Sequence, residues 1–162
     1  MKIITLSDTH LPKKSAQLPD HLLHQLKTAD HIIHAGDWIS KTVYDEIVSC
    51  GSLTSVAGNQ DSEELKQLLP RRAIVRLNGW NIGVVHGDGK GLTTEKRAAK
   101  AFMDEEVDCI VFGHSHIPYL RFEKGVLMFN PGSATDKRRL PYYSYGILTV
   151  DKTIKAEHIF YK

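Results

Sequence analysis

The chain has 162 residues, 41% hydrophobic and 25% charged, with a formal net charge of +2. That length fits a single domain over residues 1–162, which buries roughly 70% of its unfolded surface and needs no staple to hold a core. The near-neutral balance gives no global field for nucleic acid or a membrane surface, and no apolar stretch is long enough to span a bilayer. The two cysteines, Cys50 and Cys109, have no CxxC spacing and read as reduced core thiols. The apolar run at residues 3–6 is too short for a signal peptide, so a cytoplasmic protein is expected.

Residues 2–7 (KIITLS) read as a buried strand. Leucines at 18, 22, 23 and 26 have helical spacing over 18–27, with Pro19 and Asp20 as start signals. His31–His34 is a second short strand, ended by Ala35-Gly36-Asp37. Ser40 is placed to cap a helix running to Cys50 and stopped by Gly51. A third strand covers 53–57, and Asp61 opens a short helix stopped by Pro70, with Glu64 completing a capping box. Arg72–Leu77 and Trp80–Val85 flank Asn78-Gly79, a strong hairpin signal. Residues 93–106 read as helix and Cys109–Phe112 as strand. Tyr119–Glu123 with Val126–Asn130, and Tyr143–Val150 with Ile154–Tyr161, form two more hairpins. Strand–helix alternation followed by a strand-rich last third predicts an α/β sandwich of two packed, mixed sheets with outer helices.

The polar residues fall where these strands end. The first gives Asp8 and His10, the second Asp37, the third Asn59, the hairpin strand His86, and the fifth His114 and His116. Ligands bind at the carboxyl ends of strands in open α/β sheets. Residues i and i+2 of an extended segment point the same way, so each close pair can face one site. Each piece alone is compatible with turn chemistry or a helix cap. Together, imidazole, carboxylate and amide oxygen without thiolate suit a divalent ion such as Mn²⁺, Fe²⁺, Zn²⁺ or Ni²⁺. Seven donors exceed one coordination sphere, so two ions about 3.5–4 Å apart, bridged by a carboxylate, are the natural count.

The ordered set DTH, GD, GNQD, HGD and GHSH, followed by NPGS at 130–133, resembles the calcineurin-like metallophosphoesterases, and most closely their small bacterial and archaeal phosphodiesterases. The resemblance runs from Ile4 to about Ser133. It implies a four-layer αββα sandwich, with two mixed β-sheets flanked by helices and two metal ions at the strand ends. By motif, Asp8, His10 and His116 hold one ion, Asn59, His86 and His114 the other, and Asp37 bridges them. Asp37, Asn59 and His86 form the catalytic set. The resemblance further implies phosphate-ester hydrolysis with two divalent ions per chain, Mn²⁺ favoured, on a small phosphate-ester substrate, a cytosolic setting and frequent homodimers. Two cations would neutralise the non-bridging oxygens of a diester and lower the pKa of a bound water to roughly 7, supplying a hydroxide nucleophile at neutral pH.

Many members of the broad family carry a histidine after the GN asparagine, where it assists the leaving oxygen. This chain has Gln60, which donates a hydrogen bond but cannot act as a general acid. Gln60, Arg138 and Arg139 are candidate substrate-binding residues, the arginines belonging to the run DKRR after NPGS. Lys13 and Lys14 share that ambiguity. Trp38 is expected to pack, and Asn130 and Ser133 to support the GHSH loop. Two other readings are a non-catalytic scaffold of the same fold, as in the retromer coat, and a metal-dependent nuclease. Retention of all seven ligand positions argues against the first; the lack of a basic stripe argues against the second.

Overall fold

Alternation of side chains decides how the strands are used. In β1 (Lys2–Leu6), Ile4 and Leu6 join a core with Leu22, Leu26, Val43, Ile47 and Leu65, while Ile3 faces a second core with Ile33, Val84, Val111, Phe129 and Leu148. The first core packs helices α1 (Asp20–Lys27), α2 (Lys41–Val48) and α3 (Glu63–Leu68) on one sheet. A third core sets Ala98 and Phe102, at α4 (Thr94–Ala101), against Ile110, Phe112 and Met128. The layers are therefore helices, sheet, sheet, helix, as expected. The structure, a computed structural model, describes residues 1–12 and 17–162, so Lys13 and Lys14 lie outside the described residues.

The first sheet has the order β10-β9-β1-β2-β3. Its strands β1, β2 (His31–His34) and β3 (Leu53–Ser55) are parallel; β9 (Tyr143–Val150) and β10 (Ile154–Tyr161) return antiparallel. The second sheet has the order β4-β5-β6-β8-β7. Here β5 (Trp80–Val85), β6 (Cys109–Phe112) and β8 (Val126–Asn130) are parallel, with β4 (Arg72–Leu77) and β7 (Tyr119–Glu123) as antiparallel edges. Six parallel strands thus deliver their carboxyl ends to one rim of the sandwich.

Several boundaries differ from the sequence reading. α3 starts at Glu63, and its cap is Ser62, whose Oγ accepts from Leu65 N at 3.3 Å; Asp61 is used elsewhere. Ser40 sits at the N-cap of α2 but makes no capping bond. β3 stops at Ser55 because the chain then leaves the ladder, with Ala57 N donating to Pro70 O. α4 spans Thr94–Ala101, not 93–106. Phe102 docks over Gly83, where no Cβ intervenes, and Arg72 Nη1 takes the free Ala101 carbonyl at 2.7 Å. Cys109 is buried and Cys50 half-buried, both free thiols. Among the described residues, no helix is long and apolar enough to cross a membrane.

Candidate metal centre

The site is built from tight turns at the strand ends. Asp8, His10, Asp37, His114 and His116 all adopt positive φ, between 49° and 67°. This conformation is uncommon for non-glycine residues and clusters at functional sites. The extended-segment argument therefore fails: these residues lie in left-handed turns. Asp8 and His10 still meet, with Oδ1 and Nε2 3.9 Å apart. His114 and His116 part, His116 toward Asp8 and His114 toward His86. Glycines permit the close approach. A side chain at Gly58 would collide with the Asp37 carboxylate, and one at Gly113 with the Ser7 hydroxyl.

Two donor clusters result, Asp8–His10–His116 and Asp8–Asp37–His86, all buried. Asp37 Oδ2 lies 3.1 Å from His10 Nε2 and 3.3 Å from His86 Nε2. Asp8 Oδ1 lies 3.4 Å from His116 Nε2 and 3.9 Å from His86 Nε2. Both carboxylates thus stand between imidazoles of the two flanks. Asn59 and His114 occupy the rim, outside these clusters. Asn59 is exposed, and its Oδ1 lies 3.2 Å from His114 Nδ1. The ring of His114 stands edge-on to that of His86, with centroids 5.2 Å apart.

The hydrogen bonds fix which ring nitrogens point inward. His86 Nδ1 bonds Ala35 O at 2.7 Å, and His116 Nδ1 bonds Asp136 O at 2.6 Å. A carbonyl only accepts, so each Nδ1 carries a proton, and Nε2 is the nitrogen turned toward the carboxylates. Among the described residues, Asp8 Oδ1 and His86 Nε2 are buried without a hydrogen-bond partner. Leaving such atoms unpaired is costly, and divalent metal is the group that this donor set fits. Burial resists ionisation of Asp37, but His10, His86 and the Gln60 N–H (2.8 Å) outweigh it and hold the carboxyl well below the usual range. Burial likewise disfavours the His86 cation, but Asp37 and Asp8 overcome it and raise the imidazole to about 9. A metal ligated by His86 would take the place of that proton. His114 is lowered, by burial first and then by His86.

The supporting shell contains residues that sequence reasoning missed. Asp136, read only as part of a charged run, is buried behind the site. Its Oδ2 is 2.9 Å from His10 Nδ1, a close contact without the alignment of a hydrogen bond, while its carbonyl takes His116. His34, fully buried, stacks on Trp38 with centroids 3.4 Å apart, accepts from Gly36 N at Nδ1 and reaches Thr9 Oγ1 at 3.3 Å. Burial keeps it neutral, well below the usual histidine range. Trp38 packs as expected. Asp61 does not cap a helix. Its carboxylate accepts from Trp38 N (2.6 Å), Ile39 N (2.9 Å) and Gly58 N (2.7 Å), locking the Asp37 and Asn59 loops together. Asn130 supports the GHSH loop through Gly113 O and Ser115 Oγ, whereas Ser133 Oγ donates to Asp8 O at 2.7 Å and serves the Asp8 loop instead.

Of the substrate candidates, Gln60 contributes its backbone N–H to Asp37, and its side chain is exposed. Arg138 reaches the site: Nη2 is 3.3 Å from His116 Nε2 and Nε 3.2 Å from Asp136 Oδ2. Arg139 is exposed and lines a cleft with Arg138 and His116.

Residues 1–153 match the calcineurin-like phosphoesterase superfamily domain. A probable metallophosphoesterase of Methanocaldococcus jannaschii is 32% identical over 160 residues, covering 98% of this chain and 81% of that protein. Among solved structures, wild-type Vps29 of Entamoeba histolytica complexed with zinc superposes with a TM-score of 0.76 at 23% identity over 99% of each chain. A structure described as that of a novel archaeal phosphodiesterase gives 0.72 at 23% identity, over 99% of this chain and 100% of the other. At those identities the structural matches speak for the fold alone.

Proposed function

This chain belongs to the calcineurin-like phosphoesterase superfamily, and from that premise we propose that it is a phosphodiesterase working with two divalent ions, Mn²⁺ foremost. The observation that carries the proposal is the pair of buried carboxylates, Asp8 and Asp37, interleaved with the Nε2 atoms of His10, His86 and His116, with Asp8 Oδ1 and His86 Nε2 unpaired among the described residues. Asp8, His10 and His116 would hold one ion and Asn59, His86 and His114 the other. Asp37, within 3.3 Å of imidazoles on both flanks, would bridge them. The donor set is nitrogen and oxygen without thiolate, which suits Mn²⁺ and leaves Zn²⁺, Fe²⁺ and Ni²⁺ as competitors. When bound, such a pair supplies charge neutralisation at the phosphoryl oxygens and a water acidified to about 7.

The protein's own residues set geometry. Gln60 N–H and Asp61 fix the loop that carries Asp37. Ala35 O and the Asp136 carbonyl hold His86 and His116 with their Nε2 atoms inward. At position 60 an exposed amide stands where an acid would be needed, so departure of the ester oxygen rests on the leaving group's own acidity. This favours aryl diesters over alkyl ones. The two free thiols support a cytoplasmic setting.

The second reading, a non-catalytic scaffold of the same fold, allows metal to bind but predicts no turnover. The test is an assay of metal-stripped protein reloaded with each ion, against aryl and alkyl diesters and matching monoesters. The expected result is Mn²⁺-dependent turnover of bis(p-nitrophenyl) phosphate, with alkyl diesters slower by at least about 10² for want of a general acid. No turnover with any ion would overturn the reading.

A further inference from the structure

Beside the donor cluster, and sharing His116 with it, lies a cleft of about 320 Å³ lined by Ser115, His116, Ile117, Arg138, Arg139 and Leu140. Its inner wall is His116, buried and in contact with Asp8. Arg138 and Arg139, consecutive in the chain and both exposed, also line the cleft. Arg138 is held there. Its backbone has φ of 53°, in the same left-handed region as the five site residues, a conformation that costs an arginine energy and that a glycine would adopt freely. Its Nε is anchored to the buried Asp136 carboxylate at 3.2 Å, which leaves Nη2 facing His116 Nε2 at 3.3 Å. Arg139 has no ion-pair partner among the described residues, whereas Arg71 and Arg72 are paired with Asp88 and Glu105. Exposed Ile117 and half-buried Leu140 give the cleft an apolar flank. A single diester charge would be met by divalent ions held at the donor cluster. A planar fork matches phosphate geometry, and the unpaired Arg139, with the positioned Arg138 next to it in the chain, provides for a second anion.

We propose that this cleft binds a phosphate group on one arm of the substrate, so that the preferred substrate is a phosphodiester bearing a second, non-reacting phosphate, with the apolar arm against Ile117 and Leu140. This rests on the hydrolytic reading above and narrows its substrate class.

The test compares two probes with the same reacting bond, the p-nitrophenyl ester of thymidine 5′-phosphate with and without a 3′-phosphate. In both, water adds across the P–O bond, leaving a 5′-monophosphate and releasing p-nitrophenol. The wild-type Mn²⁺-loaded protein should favour the 3′-phosphorylated probe by about tenfold in kcat/KM, carried by KM, as expected of charge-assisted bonds to one added phosphate. In the Arg138→Ala/Arg139→Ala variant the ratio should fall to about 1. A ratio near 1 in the wild type, or one unchanged in the double variant, overturns the proposal. If the double variant does not fold, Arg139→Glu alone must lower the ratio at least about threefold through charge reversal, and an unchanged ratio overturns the proposal. If the wild type hydrolyses neither probe, the hydrolytic reading fails. The anion site is then judged by calorimetry: tighter binding of thymidine 3′,5′-bisphosphate than of thymidine 5′-phosphate, lost in the variant, sustains it, and equal binding refutes it.

Discussion

The two flanks of the candidate metal centre are built to different standards. On one, Asp8, His10 and His116 are all buried, and Asp136 touches both imidazoles, one through its carboxylate and one through its carbonyl. On the other, only His86 is buried; Asn59 is exposed, and His114 is partly open to solvent and contacts Asn59 at 3.2 Å. Ligands locked by packing and outer hydrogen bonds lose little freedom when they coordinate, whereas rim ligands must be ordered at that moment. The first flank should therefore hold its ion tightly, and the second should exchange it.

The largest effect should come from removing what the flanks share. Asp37→Ala should cost about 10³-fold or more in turnover, several kcal/mol of charge stabilisation. It should lower metal content on both sides, as read by elemental analysis; full content with full turnover would remove Asp37 from the bridge. Next is Asp61, which binds the Asp37 loop to the Asn59 loop by accepting three backbone N–H groups. Asp61→Ala should destabilise the protein by about 3 kcal/mol, since buried donors lose their acceptor. Thermal melting reads this, and an unchanged midpoint would mean that the loops do not depend on it.

Much of this was legible in the sequence. Apolar runs and hairpin turn signals place the ten strands of the described residues, and turn residues mark where ligand-type side chains emerge. What escaped was set by tertiary contacts. Asp136 carries no local sign of burial, because Lys137, Arg138 and Arg139 beside it suggest a solvated face. Asp61 fits a capping box on paper, yet its three N–H partners come from two loops that only the fold brings together. The helix over 93–106 was extended by composition, while Phe102 leaves it to fill the space over Gly83. The left-handed backbone of the ligand turns is likewise invisible in residues other than glycine.

Two finer substitutions sharpen the contrast between flanks. His116→Ala should empty mainly the tight flank and His114→Ala mainly the exchangeable one. Anomalous scattering separates them, and loss of the same ion in both variants would sink the split. Smaller still, Asp136→Asn keeps the carbonyl to His116 but removes the charge beside His10. Affinity at the tight flank alone should fall about tenfold, within the range for outer-shell partners; equal losses at both ions in a calorimetric titration would deny Asp136 its selective role.

The central claim, that hydrolysis needs both ions, is tested most directly by titrating metal-stripped protein with Mn²⁺ while following bis(p-nitrophenyl) phosphate hydrolysis. The account predicts a first equivalent that binds tightly and silently, with turnover rising as the second, weaker equivalent fills. Full activity at one equivalent, or any activity in the stripped protein, would contradict it.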